Sequence, residues 1–204
     1  MSFCLKDKSV VITGSSRGIG LAIARKFHAE GARLHLIADD AAVRNRAAEL
    51  DATSAIADIS DADAVCGALS RLDRIDILIN NAGLERMTPV TLADAEVLAT
   101  FRRIVEINVV GTALVTRLAL PRMLGGGAIV NTASIWGRVA EAEFDAYVAS
   151  KHAIIGLTKT VPEPGIRSSV GEISQSTVDK GNTTRTILAA AATTNDTASV
   201  SLGN

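Results

Sequence analysis

Tyr147 and Lys151 are the residues of this 204-residue chain whose types and spacing best suit acid–base chemistry. Tyr147 is the only tyrosine, and Lys151 follows four residues later, so on a helix both side chains lie on one face. A phenol has an unperturbed pKa of about 10, too high for a base at neutral pH, and a nearby ammonium lowers that pKa. By spacing alone the pair fits a core tyrosine beside a packed lysine stem better, since this spacing often arises by chance, and a proton-exchanging phenol becomes the better interpretation only with the neighbouring motifs.

Two polar segments are expected to lie beside this pair. Ser134 follows the strand-like run at 128–132, thirteen residues before Tyr147. The segment Asn80-Asn81-Ala82-Gly83 follows another strand-like run at 76–79. The carboxyl ends of parallel strands meet at one edge of a sheet, where ligands of such folds bind. Ser134 and this segment are therefore predicted to line the same edge as Tyr147.

A glycine-rich segment predicts a phosphate-binding turn. It reads Thr13-Gly14-Ser15-Ser16-Arg17-Gly18-Ile19-Gly20 and joins the first predicted strand to the first predicted helix. Glycine permits a tight turn and close backbone approach, and the free N–H groups of a helix N-terminus attract an anion. A pyrophosphate suits such a turn. A strand–helix turn that merely tolerates glycine is the weaker alternative, since three glycines in this register exceed what a turn requires.

Two aspartates after predicted strands fit a dinucleotide. Asp39 follows the second strand, where a carboxylate can accept hydrogen bonds from the adenosine ribose and repel a 2′-phosphate. Asp58, in the pair Asp58-Ile59 after the third strand, is placed to reach the adenine. Each aspartate taken alone fits a helix N-cap or a solvated loop residue better than a nucleotide contact. Arg17 is suited to binding a 2′-phosphate, so NAD is the expected cofactor and NADP remains open.

Strand-like and helix-like segments alternate through most of the chain. The predicted strands are 8–13, 34–38, 53–57, 76–79 and 128–132, and the predicted helices are 18–30, 41–50, 61–72, 92–124 with a break near Gly111, and 147–160. This alternation predicts an α/β fold with a doubly wound parallel sheet and helices on both faces.

The chain is predicted to divide at residue 164. Residues 1–164 are expected to form a dinucleotide-binding catalytic domain. Residues 165–204 contain 13 serines and threonines in 40 positions and show weak periodicity, which predicts an atypical, partly disordered tail.

Composition excludes several classes of function. Lysine plus arginine number 21 against 22 for aspartate plus glutamate, which gives no indication of a nucleic-acid partner. The N-terminus is charged where a signal peptide is apolar, and no uninterrupted apolar run approaches the roughly 20 residues of a membrane span. Cys4 and Cys66 lack metal-ligand spacing. The expectation is a cytoplasmic protein with no metal and no nucleic-acid or membrane partner.

Together these motifs resemble the short-chain dehydrogenase/reductase family in its single-domain form, from about residue 6 to 160. The resemblance rests on the glycine segment, Asn80 to Gly83, Ser134 and Tyr147-Val148-Ala149-Ser150-Lys151, in that order. It implies a Rossmann-like fold and an NAD(P)-dependent oxidoreductase that transfers a hydride between a nicotinamide and a small alcohol or carbonyl compound. It also implies a homodimer or homotetramer built through the helices at 92–124 and 147–160.

The resemblance assigns a role to each site residue. Tyr147 exchanges the substrate proton, Lys151 lowers the tyrosine pKa and binds the nicotinamide ribose, and Ser134 orients the substrate oxygen. Asn108 holds a water that links the lysine to solvent. The predicted cofactor-binding residues are Gly14, Ser16, Arg17, Gly18, Ile19, Gly20, Asp39, Asp58, Ile59, Asn81, Ala82, Gly83, Tyr147 and Lys151.

The sequence departs from the family in two places. Ala38 stands where relatives usually have the ribose-binding aspartate, with Asp39 next. After residue 160, Pro162 and Pro164 prevent the catalytic helix from continuing. Gly165-Ile166-Arg167 resembles the entry to a sixth strand, but no proline-glycine turn follows. An apparently truncated C-terminal region with an abnormal last strand and lid is therefore expected.

Three functional hypotheses remain open. The first is an active enzyme, for which NADP would favour reduction of 3-oxoacyl thioesters and NAD would favour oxidation of a sugar-like or secondary alcohol. The second is a cofactor-binding but catalytically impaired family member without a substrate lid. The third is a marginally stable chain whose altered tail reflects a damaged coding region.

Overall fold

A computed structural model describes residues 5–123, 125–160 and 165–171. Six strands run through these residues: β1 Ser9–Thr13, β2 Arg33–Ala38, β3 Thr53–Ile56, β4 Ile77–Asn80, β5 Gly127–Thr132 and β6 Ile166–Gly171. The main helices are α1 Gly18–Ala29, α2 Ala42–Glu49, α3 Ala62–Leu69, α4 Ala95–Val105, α5 Thr112–Ala119 and α6 Asp145–Thr158. A π-helical turn, Glu106–Gly111, joins α4 to α5, and short 3₁₀ turns cover Leu120–Arg122 and Ile135–Gly137.

The strands form one parallel sheet in the order β3-β2-β1-β4-β5-β6. Strands β1 and β4 are apolar except at their end residues Ser9, Thr13 and Asn80, and all their residues but Ser9 are buried, as expected for strands covered on both faces. The chain moves outward in one direction from β1 to β3 and in the other from β4 to β6. The point of reversal lies between β1 and β4, where ligands of doubly wound folds bind. The predicted doubly wound fold is confirmed.

Two apolar cores hold the sheet between its helices. On one face α1 and α2 contribute Phe27, which is fully buried, and Val43. On the other face α3 and α5 contribute Leu69 and Val115, both fully buried. Burying a side chain of this size contributes roughly 1.5–3 kcal/mol, so the two cores hold the carboxyl edge of the sheet in a fixed shape.

The predicted break near Gly111 is a π-helical turn that ends at Gly111, between α4 and α5. The chain stays helical from Ala95 to Arg122, with the π-helical turn inside it. A Cβ on Gly111 would lie 2.8 Å from Cγ1 of Ile59, so glycine there permits close packing rather than ending the helix. By length and composition this helix could cross a membrane. Its Ile104 is fully buried in the fold, as is Val115.

The sixth strand is present beyond the prolines. β6 pairs with β5 from Ile166 beside Gly127 to Gly171 beside Thr132. The rest of the predicted tail and the expected lid region lie outside the described residues, as does Cys4. The predicted division at residue 164 stays a prediction. Within the ranges described, Cys66 is an exposed free thiol and no cluster of three metal-ligating side chains occurs.

Candidate active site

The glycine segment folds so tightly that two of its positions exclude any side chain. Gly14 has a φ of +64°, and a Cβ on it would lie 2.7 Å from Cα of Ala82. A Cβ on Gly20 would lie 2.1 Å from the carbonyl oxygen of Gly14. Helix α1 begins at Gly18, and no side chain caps it at Arg17. The first N–H groups of α1 therefore lack intrahelical acceptors and form a site suited to an anion.

Thr13 and Asn81 tie this loop to the end of β4. The backbone N–H groups of Asn81 and Ala82 donate to Oγ1 of Thr13 at 3.0 and 3.1 Å. Nδ2 of Asn81 donates to the carbonyl oxygen of Gly14 at 3.1 Å. Asn81 was predicted to bind the cofactor. In the structure its amide holds the glycine loop in shape, and its neighbours Ala82 and Gly83 present backbone to the cleft.

A cleft lies at the point of sheet reversal and contains most of the predicted cofactor-binding residues. The predicted residues that line it are Gly14, Ser16, Arg17, Asp39, Asp58, Ile59, Asn81, Ala82 and Gly83. Gly18, Ile19 and Gly20 form the first turn of α1 next to it. Ala38, Ala57, Leu84 and Ile107 also line it, and no motif identified them.

Two consecutive aspartates at the end of β2 have different partners. Asp39 is exposed and lines the cleft. Asp40 accepts hydrogen bonds at one oxygen from Oγ of Ser16 and Nη1 of Arg17, both at 2.7 Å. Its other oxygen accepts from the N–H of Ala42 at 2.9 Å. The Ser16 hydrogen bond, with Ala42 and Arg17, holds the pKa of Asp40 below its ordinary value. Sequence reasoning missed Asp40 because Asp39 filled the expected role.

Asp58 lines the same cleft, and its carboxylate is bound by Arg103 of α4. Its Oδ1 accepts from the N–H and the hydroxyl of Ser60 at 2.9 and 2.7 Å. Its Oδ2 accepts from Arg103, whose other terminal nitrogen donates to Oγ of Ser60 at 2.8 Å. Burial raises the pKa of Asp58, but these hydrogen bonds and the arginine charge outweigh burial and leave the pKa below its ordinary value. Arg103 therefore fixes an ionised carboxylate in the cleft.

Ser134 and Tyr147 meet at the carboxyl end of β5. Ser134 is buried and accepts a hydrogen bond from the N–H of Trp136 at 3.2 Å, which caps the short 3₁₀ turn. The indole of Trp136 lies edge-on to the Tyr147 ring, with centroids 5.9 Å apart, and 5.1 Å from the ring of Phe144. The Ser134 hydroxyl lies close enough to the Tyr147 hydroxyl to lower the pKa of Tyr147. The structure thus brings together the two groups predicted to contact the substrate oxygen.

Lys151 lies beneath the tyrosine ring and is almost wholly buried. Its Nζ lies 5.3 Å from the centroid of the Tyr147 ring and donates to the carbonyl oxygen of Thr132 at 2.8 Å. Burial lowers the pKa of Lys151 to about 8, against an opposing effect of Glu85. Such a lysine alternates between charged and neutral forms near physiological pH.

The pKa of Tyr147 moves opposite to the expected direction. Burial raises it most, the carboxylate of Glu85 raises it as well and the Ser134 hydroxyl lowers it, for a net value of about 12. The predicted lowering of this pKa by Lys151 beside a bound nicotinamide stays a prediction. Tyr147 stands as a phenol at neutral pH, which is the form that donates a proton.

Asn108 lies in the π-helical turn and joins three parts of the site. Its Oδ1 accepts from the N–H of Leu84 at 2.7 Å, and its Nδ2 donates to the Leu84 carbonyl at 3.0 Å and to Oγ of Ser150 at 2.9 Å. A Cβ on Gly83 would lie 3.2 Å from Oδ1 of Asn108 and 3.7 Å from Nζ of Lys151. Gly83 also lines the cleft. Lys151 and Asn108 therefore both lie close to Gly83, next to the cleft. The predicted role of Asn108 in holding a water molecule stays a prediction.

Thr88 positions the start of α6 and carries no motif. Its N–H donates to the carbonyl oxygen of Glu143 at 2.6 Å. Its Oγ1 accepts from the N–H of Ala146 at 3.2 Å. The segment after β4 is thereby fastened to the residue that precedes Tyr147, which sets where the phenol projects.

The single tyrosine allows its titration to be measured directly. We expect the tyrosinate absorbance of the folded protein to rise with a midpoint near pH 12, since burial and Glu85 both disfavour the phenolate. Glu85→Gln removes one of these effects and is expected to lower the midpoint. Glu96→Gln, an exposed acid in the first turn of α4, is the control and leaves it unchanged. A midpoint at or below pH 10, with circular dichroism showing the fold intact, would contradict the structure.

Comparisons with known proteins identify the family. Residues 8–190 match the family model described as short chain dehydrogenase. Among curated relatives, a sorbitol dehydrogenase of Cereibacter sphaeroides is 41% identical over 76% of this chain and 64% of its own length. A galactitol 2-dehydrogenase (L-tagatose-forming) of the same organism is 38% identical over 78% of this chain and 66% of its own. The chain belongs to the short-chain dehydrogenase family.

Solved structures agree on the fold. A short chain dehydrogenase from Mycobacterium smegmatis has a TM-score of 0.83 and 26% identity, covering 92% of this chain and 87% of its own. One from Burkholderia phymatum in complex with NAD has a TM-score of 0.74 and 28% identity, covering 82% and 66%. One from Shigella flexneri complexed with NADP has a TM-score of 0.76 and 25% identity, covering 83% and 78%. The chain spans 58–66% of the length of the curated relatives it matches.

Proposed function

We propose that this protein is an NAD(P)-dependent oxidoreductase that transfers a hydride between a nicotinamide cofactor and a small alcohol or carbonyl compound. The observation that carries the proposal is the convergence of Ser134, Tyr147 and Lys151 beside a cleft built on the glycine loop. Gly83 lies at their junction, because it lines the cleft while a Cβ on it would lie 3.7 Å from Nζ of Lys151.

The residues of the cleft fit a dinucleotide. The crowding at Gly14 and Gly20 brings backbone close to the uncapped first turn of α1, which suits a pyrophosphate. The exposed Asp39 suits an adenosine ribose and the fixed Asp58 an adenine edge. The bound nicotinamide would supply or accept the hydride, which no side chain can do.

The chain's own residues handle the proton. In carbonyl reduction the Tyr147 hydroxyl donates its proton to the substrate oxygen, and its pKa of about 12 keeps that proton available at neutral pH. Ser134 donates a hydrogen bond to the same oxygen and orients it. In alcohol oxidation the Tyr147 phenolate would accept the proton, which requires its pKa to fall from the value in this structure. The charges of Lys151 and a bound cationic nicotinamide would favour that change. Lys151, with its pKa near 8, is placed to stabilise the phenolate by its charge.

We propose NAD as the preferred cofactor and a secondary alcohol of a sugar-like compound as the substrate class. The support for NAD is the carboxylate of Asp39 at the end of β2, which has no hydrogen-bond or ion-pair partner among the residues that the structure describes and would repel a 2′-phosphate. The support for the substrate class is the similarity to relatives named sorbitol and galactitol dehydrogenases. A cytoplasmic location belongs to the same proposal.

Assembly as a homodimer or homotetramer is a further part of the proposal. The helix from Ala95 to Arg122 leaves apolar side chains on its outer surface, with Leu98 44% and Val110 53% exposed. A second copy of the same helix would cover these side chains.

Turnover tests the proposal directly. Sugar alcohols and secondary alcohols are supplied with NAD⁺ or NADP⁺, and reduced nicotinamide absorbance is followed for the wild type and Asp39→Asn. We expect NAD⁺-dependent oxidation of at least one sugar alcohol, with a KM for NAD⁺ that rises in Asp39→Asn and a kcat that changes little. Nucleotide binding without turnover on any alcohol or carbonyl compound would favour the catalytically impaired alternative and overturn the enzyme proposal.

A further inference from the structure

Asp40 accepts hydrogen bonds from two side-chain donors of the glycine loop, Ser16 and Arg17. The Arg17 guanidinium is 78% exposed, yet its Nη1 lies 2.7 Å from Oδ2 of Asp40. Oγ of Ser16 donates to that same oxygen at 2.7 Å. Oδ1 of Asp40 is anchored by the N–H of Ala42 at the start of α2. One oxygen therefore engages both loop donors while the other fixes the carboxylate in place.

These donors are the groups that a 2′-phosphate on the adenosine ribose would need. Ser16 and Arg17 line the cleft beside Asp39, where the ribose belongs if the proposed function holds. A phosphate bound there needs hydroxyl and guanidinium donors, and arginine is the side chain best shaped to supply them. In this chain both donors already have an anionic acceptor, and a phosphate would also face the charges of Asp39 and Asp40.

We propose that Asp40 accepts the hydrogen bonds of Ser16 and Arg17 that a 2′-phosphate would otherwise accept. In this way Asp40 lowers the affinity for NADP(H) and sets the cofactor preference. This inference rests on the proposed function and goes beyond it, because it assigns the discrimination against NADP(H) to a residue that is not itself proposed to bind the ribose. Asp39 repels a phosphate by its charge alone. Asp40 removes the donors that would otherwise attract one.

Asp40→Asn is the variant that separates these effects. Its amide oxygen can still accept from the N–H of Ala42, since asparagine caps helices as well as aspartate does. The variant removes the charge that holds Arg17. Asp39→Asn is the matched control, because it removes one neighbouring charge without releasing Arg17.

The experiment is calorimetric titration of NADH and NADPH into the wild type, Asp40→Asn, Arg17→Gln, Asp39→Asn and the double variant Asp40→Asn/Arg17→Gln. We expect Asp40→Asn to tighten NADPH binding at least about tenfold and leave NADH binding nearly unchanged. Arg17→Gln alone should have little effect on NADPH. In the double variant the gain should disappear.

The outcomes distinguish this inference from the proposed function. A gain that persists in the double variant, or one matched by Asp39→Asn, would show a general charge effect and overturn the role of Asp40. NADH binding with no gain for NADPH in Asp40→Asn would also overturn it, with the proposed function intact. Failure of every variant and the wild type to bind either nucleotide would overturn the proposed function and this inference together.

Discussion

Tyr147→Phe is expected to lower kcat by 10²–10⁴ while leaving the affinity for NADH nearly unchanged. In the proposed mechanism the hydroxyl exchanges the substrate proton, whereas the ring packs edge-on to Trp136, a contact that phenylalanine keeps. The loss should therefore fall on the chemical step and not on folding or cofactor binding. Steady-state turnover of an alcohol with NAD⁺ measures kcat, and calorimetry with NADH measures the affinity for the cofactor.

Two controls make this result specific. Ser134→Ala removes the hydroxyl proposed to hydrogen-bond the substrate oxygen, and we expect a smaller but clear loss of kcat, because the proposed proton donor remains. Thermal melting of Tyr147→Phe should match the wild type. A variant that retains wild-type kcat would contradict the role of Tyr147, and one that loses turnover only because it melts early would show a structural role.

Gly20→Ala is expected to abolish nucleotide binding and to destabilise the fold. The added Cβ would lie 2.1 Å from the Gly14 carbonyl oxygen, a backbone atom that can move only if the loop opens. Overpacking of this kind costs about 3 kcal/mol or more in the free energy of unfolding. Opening the loop also withdraws the first turn of α1 from the pyrophosphate.

Gly67→Ala is the matched control for this variant. Gly67 lies inside α3, and a Cβ there would meet nothing within 4 Å. Alanine is a better helix former than glycine, so Gly67→Ala should be neutral or slightly stabilising. The comparison uses urea unfolding and NADH titration of both variants. Wild-type NADH affinity in Gly20→Ala would show that the loop is not held as tightly as the structure indicates.

The fold was largely predictable because its signals are local. Buried β-branched runs alternate with helices of sufficient length, and glycines mark the tight turn after β1. The π-helical turn carries no sequence motif, and the close packing of its Gly111 on Ile59 joins residues that are far apart in sequence. β6 was only suggested by Gly165-Ile166-Arg167, since its pairing with β5 cannot be recognised from a serine-rich segment.

The candidate site was predictable as a set of residues and less so as an electrostatic arrangement. The motifs identified Tyr147, Lys151 and Ser134, and the structure brings them together. They could not indicate that burial would raise the tyrosine pKa, because burial depends on the packing of α6 and its neighbours. Likewise Asp40 and Arg103 have no motif, and their importance follows only from the partners that the fold brings to them.

The central claim is that one site joins the nucleotide cleft to Tyr147, and energy transfer from Trp136 to NADH tests it most directly. Trp136 is the only tryptophan, and its ring centroid lies 5.9 Å from that of Tyr147, so its fluorescence reports a nicotinamide placed beside the phenol. We predict saturable transfer with NADH, retained in Tyr147→Phe and lost in Gly20→Ala. NADH that binds by calorimetry without transfer from Trp136, or no binding at all, would contradict the account.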